Sequence, residues 1–147
     1  LREIKFRAWD EELKKMCYPE ELVLENGKVT KFLMSENSKR DYKGRLIKGK
    51  LMQFTGLKDK NGKEIYEGDI LFARERVNSK LKSINIYVVK FGEYEYSDYP
   101  TVEESYGTGF YADKGGYTVP LHEWYIDTFN FYCVGNIFDN PKLLDVK

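Results

Sequence analysis

One histidine, two cysteines and one crowded bend of carboxylates are the groups in this chain whose types could do chemistry. His122 lies in VPLHEWYID, and any His-based triad would have to be built around it. No G-x-S-x-G elbow accompanies it, so a hydrogen-bonded structural role among the neighbouring aromatics is expected. Cys17 and Cys133 lie far apart, without a C-x-x-C or a Cys/His cluster, which gives no support to a structural zinc site. Two small buried apolar side chains in a reducing compartment are a simpler reading than a disulfide or a reactive thiol. Glu64, Glu67 and Asp69 crowd one bend, and paired carboxylates can do acid–base work or hold a metal. As a calcium loop, however, DKNGKEIYEGDI puts Lys63 and Ile65 where oxygen ligands should sit. The bend therefore reads as a turn, with Gly68 supplying an unusual dihedral and Asp69 bonding nearby backbone N–H groups. With no phosphate-cradling glycine loop either, the chain is expected to be non-catalytic and to need no metal or cofactor.

Charge is the next source of function. Lys+Arg and Asp+Glu are 24 each, so the formal net charge is zero, which excludes a histone-like basic coat and a uniformly acidic decoy of nucleic acid. The balance hides an asymmetry. Residues 39–63 carry nine basic residues against Asp41 and Asp59. Residues 93–127 carry eight acidic residues (Glu93, Glu95, Asp98, Glu103, Glu104, Asp113, Glu123 and Asp127) against Lys114. Lys39, Arg40, Lys43, Arg45, Lys48, Lys58, Lys60 and Lys63 are candidate phosphate contacts, with Lys50 beside them. Tyr42, Phe54 and Tyr66 could stack on bases, although Phe54 alternates with Met52 and reads as core. No RNP-like, KH-like or helix-turn-helix signature is present, so nucleic-acid binding through 39–63 is expected to be weak and non-specific. The simpler account is that these are solvated loops whose opposite charges attract within or between chains.

Six tyrosines fall between 94 and 117. Tyrosine gives large amphipathic contact area at low entropic cost, so Tyr94, Tyr96, Tyr99 and Tyr106 are candidate protein-interface residues. The expected role is protein binding, with self-association into a homo-oligomer as its first sign. The competing reading is that these rings pack over the protein's own core.

The elements that must position these groups are mostly strands. At 147 residues the chain is long enough for one domain, 1–147, to bury a core without disulfides or metals. It holds 12 Tyr and 9 Phe, too many aromatics for disorder and in keeping with β structure. Alternation predicts strands over 4–9, 69–76 and 83–91, and the segments 50–56 and 129–134 also read as strands. Met16 to Tyr18 can pair back onto the first strand. Asn26-Gly27 predicts a hairpin between 22–25 and 28–34, and Asn61-Gly62 a second tight turn. Residues 35–48 and 93–117 read as loops or inserts, and 77–82 as a turn. Asn140-Pro141 predicts a short closing helix over 141–145. Together these give a mostly β chain, a small barrel or roll with long irregular loops and a short C-terminal helix. No apolar run approaches the ~20 residues that cross a membrane, and LREIKFRAWD has no apolar signal core, so a cytoplasmic setting without membrane partners is expected.

Three blocks carry a more specific signal. REIKFRAWD at 2–10, LMQFTGLKDKNGKEIYEGDI at 51–70 and VGNIFDNPKLL at 134–144 resemble, in order and spacing, the signature blocks of the YopX family. These are small proteins encoded by phages and prophages of Gram-positive bacteria. The resemblance runs end to end, with 11–48 and 93–127 matching loosely. It implies an SH3-type barrel or roll in a bacterial host cytoplasm, and it brings no catalytic residue or ligand with it.

Overall fold

The computed structural model describes residues 3–35, 44–98 and 103–145. It is mostly β, with one short α-helix and a sheet curled into a half-barrel. By its contacts the chain divides into two compact units, Leu1–Gln53 and Phe54–Lys147.

The first unit contains β1 (Phe6–Asp10), β2 (Lys15–Cys17), β3 (Glu21–Glu25), β4 (Lys28–Leu33) and the start of β5 (Gly49–Lys58). β1 lies between two antiparallel neighbours, with Ala8 opposite Cys17 of β2 on one side and Leu51 of β5 on the other. The expected return of 16–18 onto the first strand is therefore present. β3 and β4 form the predicted hairpin, and Asn26 and Gly27 both take positive φ, 51° and 76°, as its two-residue turn demands. Ala8, Met34 and Ile47 form a small buried cluster flanked by Cys17, Phe32 and Leu51. At the start of β5 only glycine fits, since a Cβ on Gly49 would stand 1.8 Å from the Trp9 carbonyl oxygen.

The second unit contains the rest of β5, then β6 (Glu64–Tyr66), β7 (Asp69–Val77), β8 (Lys80–Asp98), β9 (Glu103–Lys114) and β10 (Tyr117–Pro120). α1 (Glu123–Phe129), β11 (Phe131–Asn136) and a 3-10 turn (Pro141–Asp145) complete it. Its main sheet runs β10-β9-β8-β7-β11, all antiparallel. Alternate residues supply its core: Leu71 and Ala73 from β7, Tyr87 and Val89 from β8, Ala112 from β9 and Val119 from β10. Ile65, Leu121, Ile126 and Phe131 close that cluster. Tyr87 meets Phe131 edge-on at 5.1 Å, and burial raises its phenol to about 12.

Of residues 93–117, expected as a loop or insert, 93–98 are instead the end of β8, 103–114 are β9 and Tyr117 opens β10, while 99–102 lie outside the described residues. Gly92 and Gly109 sit directly opposite one another inside the ladder, at φ 147° and 148°. They form a corner. Thr118 is level with Asp113, which is level with Val88. In a flat sheet Glu95 would lie seven residues, or ~23 Å, further along β8. Yet the Thr118 hydroxyl donates to the Glu95 carbonyl, so the ribbon folds back over β10. Gly107 serves a different need: the Tyr94 ring lies where its Cβ would be, 2.6 Å away.

The predicted turn at 77–82 is shorter, with only Asn78 and Ser79 between β7 and β8, both at positive φ. The closing helix at 141–145 exists as a 3-10 turn. Asn140 opens it through its backbone carbonyl, which accepts from Leu143, while its side chain accepts the Asn136 N–H at 3.2 Å.

Candidate functional site: an aromatic groove beside the helix

α1 was not expected. It is seven residues long, too short to show a helical period, and it starts without a Ser, Thr, Asp or Asn. His122 takes that place: its Nδ1 accepts the Trp124 N–H at 3.2 Å. Asn130, left-handed at φ 55°, ends the helix by donating to the Asp127 and Ile126 carbonyls. The single histidine thus has a hydrogen-bonded structural role.

The helix stacks a file of rings. Tyr125 meets His122 edge-on at 4.7 Å and Trp124 edge-on at 4.8 Å, and it stacks on Phe129 at 5.9 Å. Between this file, β10 and the folded-back end of β8 lies a groove of 580 Å³. Tyr96, Tyr117, Pro120, Trp124, Tyr125 and Phe129 are its apolar walls, and no Asp, Glu, Lys or Arg among the described residues lines it. Trp124 and Tyr117 keep 60% and 57% of their surface in water. Of the tyrosines singled out in the sequence, Tyr96 lines this groove. Tyr94 stacks on Tyr111 at 5.0 Å, Tyr106 projects into solvent at 77% exposure, and Tyr99 lies outside the described residues. Trp124 and Tyr125 carried no sequence signal beyond their type, because only the unforeseen helix turns them toward β10.

The basic stretch is dispersed. Lys39, Arg40 and Lys43, with Tyr42, lie outside the described residues. In the first unit Arg45 binds Asp10 and Glu12, and Lys48 binds Glu12 at 2.9 Å. In the second, Lys60 pairs with Asp127 at 3.1 Å, so one cation of 39–63 meets one anion of 93–127 within the same unit. Lys58 and Lys63 are exposed. Phe54 and Tyr66 form no stacking platform: both are buried, with ring centres 5.4 Å apart.

Three buried carboxylates are occupied in holding turns. Asp10 accepts from the Glu12 and Leu13 N–H groups, both at 2.9 Å. Its burial would raise its pKa, but the Arg45 guanidinium and those two N–H groups hold it below the usual carboxylate range. Asp59 accepts from Asn61 and Lys63 through one oxygen and from Cys133 through the other, at 2.8, 2.9 and 2.9 Å, tying its turn to β11. Asp69 accepts the Tyr66 N–H at 2.8 Å, as the turn reading requires. No group of acidic, His and Cys side chains arranged for a metal occurs among the described residues. Both cysteines are free and half-buried. Burial, seconded by the Asp69 charge, pushes the Cys133 thiol up to about 11, and burial also raises that of Cys17.

These features define a class: a mostly β protein with a curled antiparallel sheet, a ring-lined groove and carboxylates committed to turns. Comparison with known proteins narrows it. The chain belongs to the YopX family, matching the YopX protein family over residues 5–145. Its structure is similar to the crystal structure of protein EF1440 from Enterococcus faecalis, with a TM-score of 0.62 and 24% identity over 98% of this chain and 99% of that one. That likeness extends the fold assignment across the whole chain. No curated protein matches the chain significantly. No helix among the described residues is long and apolar enough to cross a membrane.

Proposed function

We propose that this YopX-family protein is a phage- or prophage-encoded accessory protein of the bacterial cytoplasm that works as a non-catalytic protein-binding module. The contact face is the aromatic groove, and a second copy of the chain is its first occupant. The observation that carries this reading is the exposure of Trp124 and Tyr117 over uncharged walls, since rings left in water beside an apolar concavity mark contact surfaces. Charge complementarity supports a second copy. Exposed Glu123 adjoins Trp124, Glu95 adjoins Tyr96, and exposed Lys58 and Lys63 of another chain can meet them. Non-catalysis is supported by the buried carboxylates, each engaged in a turn, and by thiols held away from thiolate. An SH3-type barrel belongs to the same reading. Its support is connectivity: a meander β7-β8-β9-β10, a short helix, then β11 back on the free edge of β7.

Sedimentation over a concentration series tests it, with wild type and Trp124→Ala at low and physiological salt. The expected result is a concentration-dependent oligomer at low salt that shifts toward monomer as salt rises, over a Debye length of ~8 Å at physiological strength. Trp124→Ala should be monomeric throughout. A wild-type monomer at every concentration overturns the second copy as occupant, and an oligomer untouched by Trp124→Ala overturns the groove.

A further inference from the structure

The second unit carries a basic surface that the charge count over 39–63 does not contain. The β7–β8 hairpin reads RERVNSKLKSI over residues 74–84, four cations with Glu75 as the one acid. Glu75 is internally satisfied, accepting from Lys82 at 3.3 Å and Ser83 at 2.9 Å. Arg74, Arg76 and Lys80 are exposed and make no ion pair among the described residues.

Register puts the two arginines on one face and Lys80, opposite Val77, at the tip on the other. Arg74 is opposite Ile84 and Arg76 opposite Leu81, so both arginines share one face with two exposed apolar residues, and they stand roughly 7 Å apart along the strand. The Arg74 guanidinium sits 5.5 Å from the centre of the Tyr132 ring, on β11. A left-handed pair, Asn78 and Ser79, closes the ribbon tightly, and a bulge between Glu75 and Arg76 twists its end. We infer that this hairpin is a nucleic-acid-binding ribbon that grips the phosphate backbone without reading sequence. The fork of arginine matches phosphate and carboxylate oxygens alike, and two further features select a nucleic acid over an acidic protein: Tyr132 offers a ring beside the cations, and a two-stranded ribbon is narrow enough to enter a major groove. The surface is distinct from the aromatic groove, and the inference stands whether or not that groove binds a partner.

The test is fluorescence anisotropy of a short labelled mixed-sequence duplex titrated with the full chain between about 50 and 200 mM salt. Three phosphate contacts give a log–log slope of about −2.7, so affinity should fall about 40-fold across that range. Arg76→Gln alone should flatten the slope to about −1.8, a fall of about 12-fold. The triple change Arg74→Gln, Arg76→Gln, Lys80→Gln should remove binding, with the thermal melt of each variant confirming that it is folded. Lys28→Gln with Lys31→Gln, two exposed cations of β4, should leave binding as it is. Absence of binding at the lowest salt overturns the inference, as does equal loss in the Lys28 and Lys31 variant. Equal displacement of the duplex by poly-glutamate, or equal hairpin-dependent binding to phosphatidylglycerol vesicles, overturns it in favour of an acidic protein or a lipid surface.

Discussion

Asp10 shows how much a single side chain can hold. It is fully buried, yet it is charged, because two backbone N–H groups and the Arg45 guanidinium replace the water it lost. Its folded pKa lies below the ordinary value near 3.9, so the unfolded chain binds the proton more readily. The stability this contributes is therefore present above about pH 4 and is lost as pH falls through that range toward the folded pKa. Asp10→Asn, which keeps an oxygen for the N–H groups but loses the ion pair, should cost about 1–3 kcal/mol at pH 7 in a urea melt. The difference from wild type should shrink at pH 3; an equal gap at both pH values would show that the ion pair contributes nothing. Cys133 gives a second prediction at this scale. With its thiol near 11, only ~0.1% is thiolate at pH 8, against roughly a quarter for an ordinary cysteine. Modification by a disulfide reagent should be much slower than that of a free thiol in the folded protein and should reach the free-thiol rate in denaturant.

At the scale of elements, the β8–β9 ribbon is the decisive unit. It bends where two glycines face each other at φ near 150°, a backbone state that L side chains rarely adopt. Gly109→Val should cost about 1–3 kcal/mol through that strain, even though the added Cβ would meet open space. Gly107→Ala poses a different problem, since it only displaces the end of the Tyr94 ring. It should lower the melting temperature less than Gly109→Val, and the reverse order would show that the corner is unstrained. The bend also brings Tyr96 to β10, so Gly109→Val should weaken any groove-dependent association more than its loss of stability accounts for.

On the scale of the whole molecule, charge governs behaviour in solution. The formal net charge is zero and the sequence pI is about 6.8, so long-range repulsion between copies vanishes near neutrality. Solubility should pass through a minimum near pH 6.8 at low salt and recover on adding salt or moving to pH 8.5, as light scattering would record. A minimum that deepened with salt would point to apolar rather than electrostatic attraction. The two compact units each keep their own polar anchors, Asp10 with Arg45 in the first and Asp59 with Cys133 in the second.

Much of the fold was legible in the sequence, because strand alternation, Asn-Gly turns and the Asn-Pro helix start are local and act over two to four residues. They placed β1, β7, β11 and the β3–β4 hairpin, and the blocks at 2–10, 51–70 and 134–144 placed the family. The turn role of Asp69 was equally local. What the tertiary structure alone decided is everything set by long-range pairing. Glycines that break a strand in isolation form a corner inside β8 and β9 once they face each other across the ladder. Arg45, Lys48 and Lys60 ceased to be free cations because folding brought acids to them from residues 10, 12 and 127. The groove required a helix too short to show a period, capped by a histidine, to meet a strand end folded back from seven residues beyond its level. Neither distance nor facing is encoded in spacing along the chain, so the composition announced many tyrosines while only the fold decided that Trp124, Tyr117 and Tyr96 share one groove.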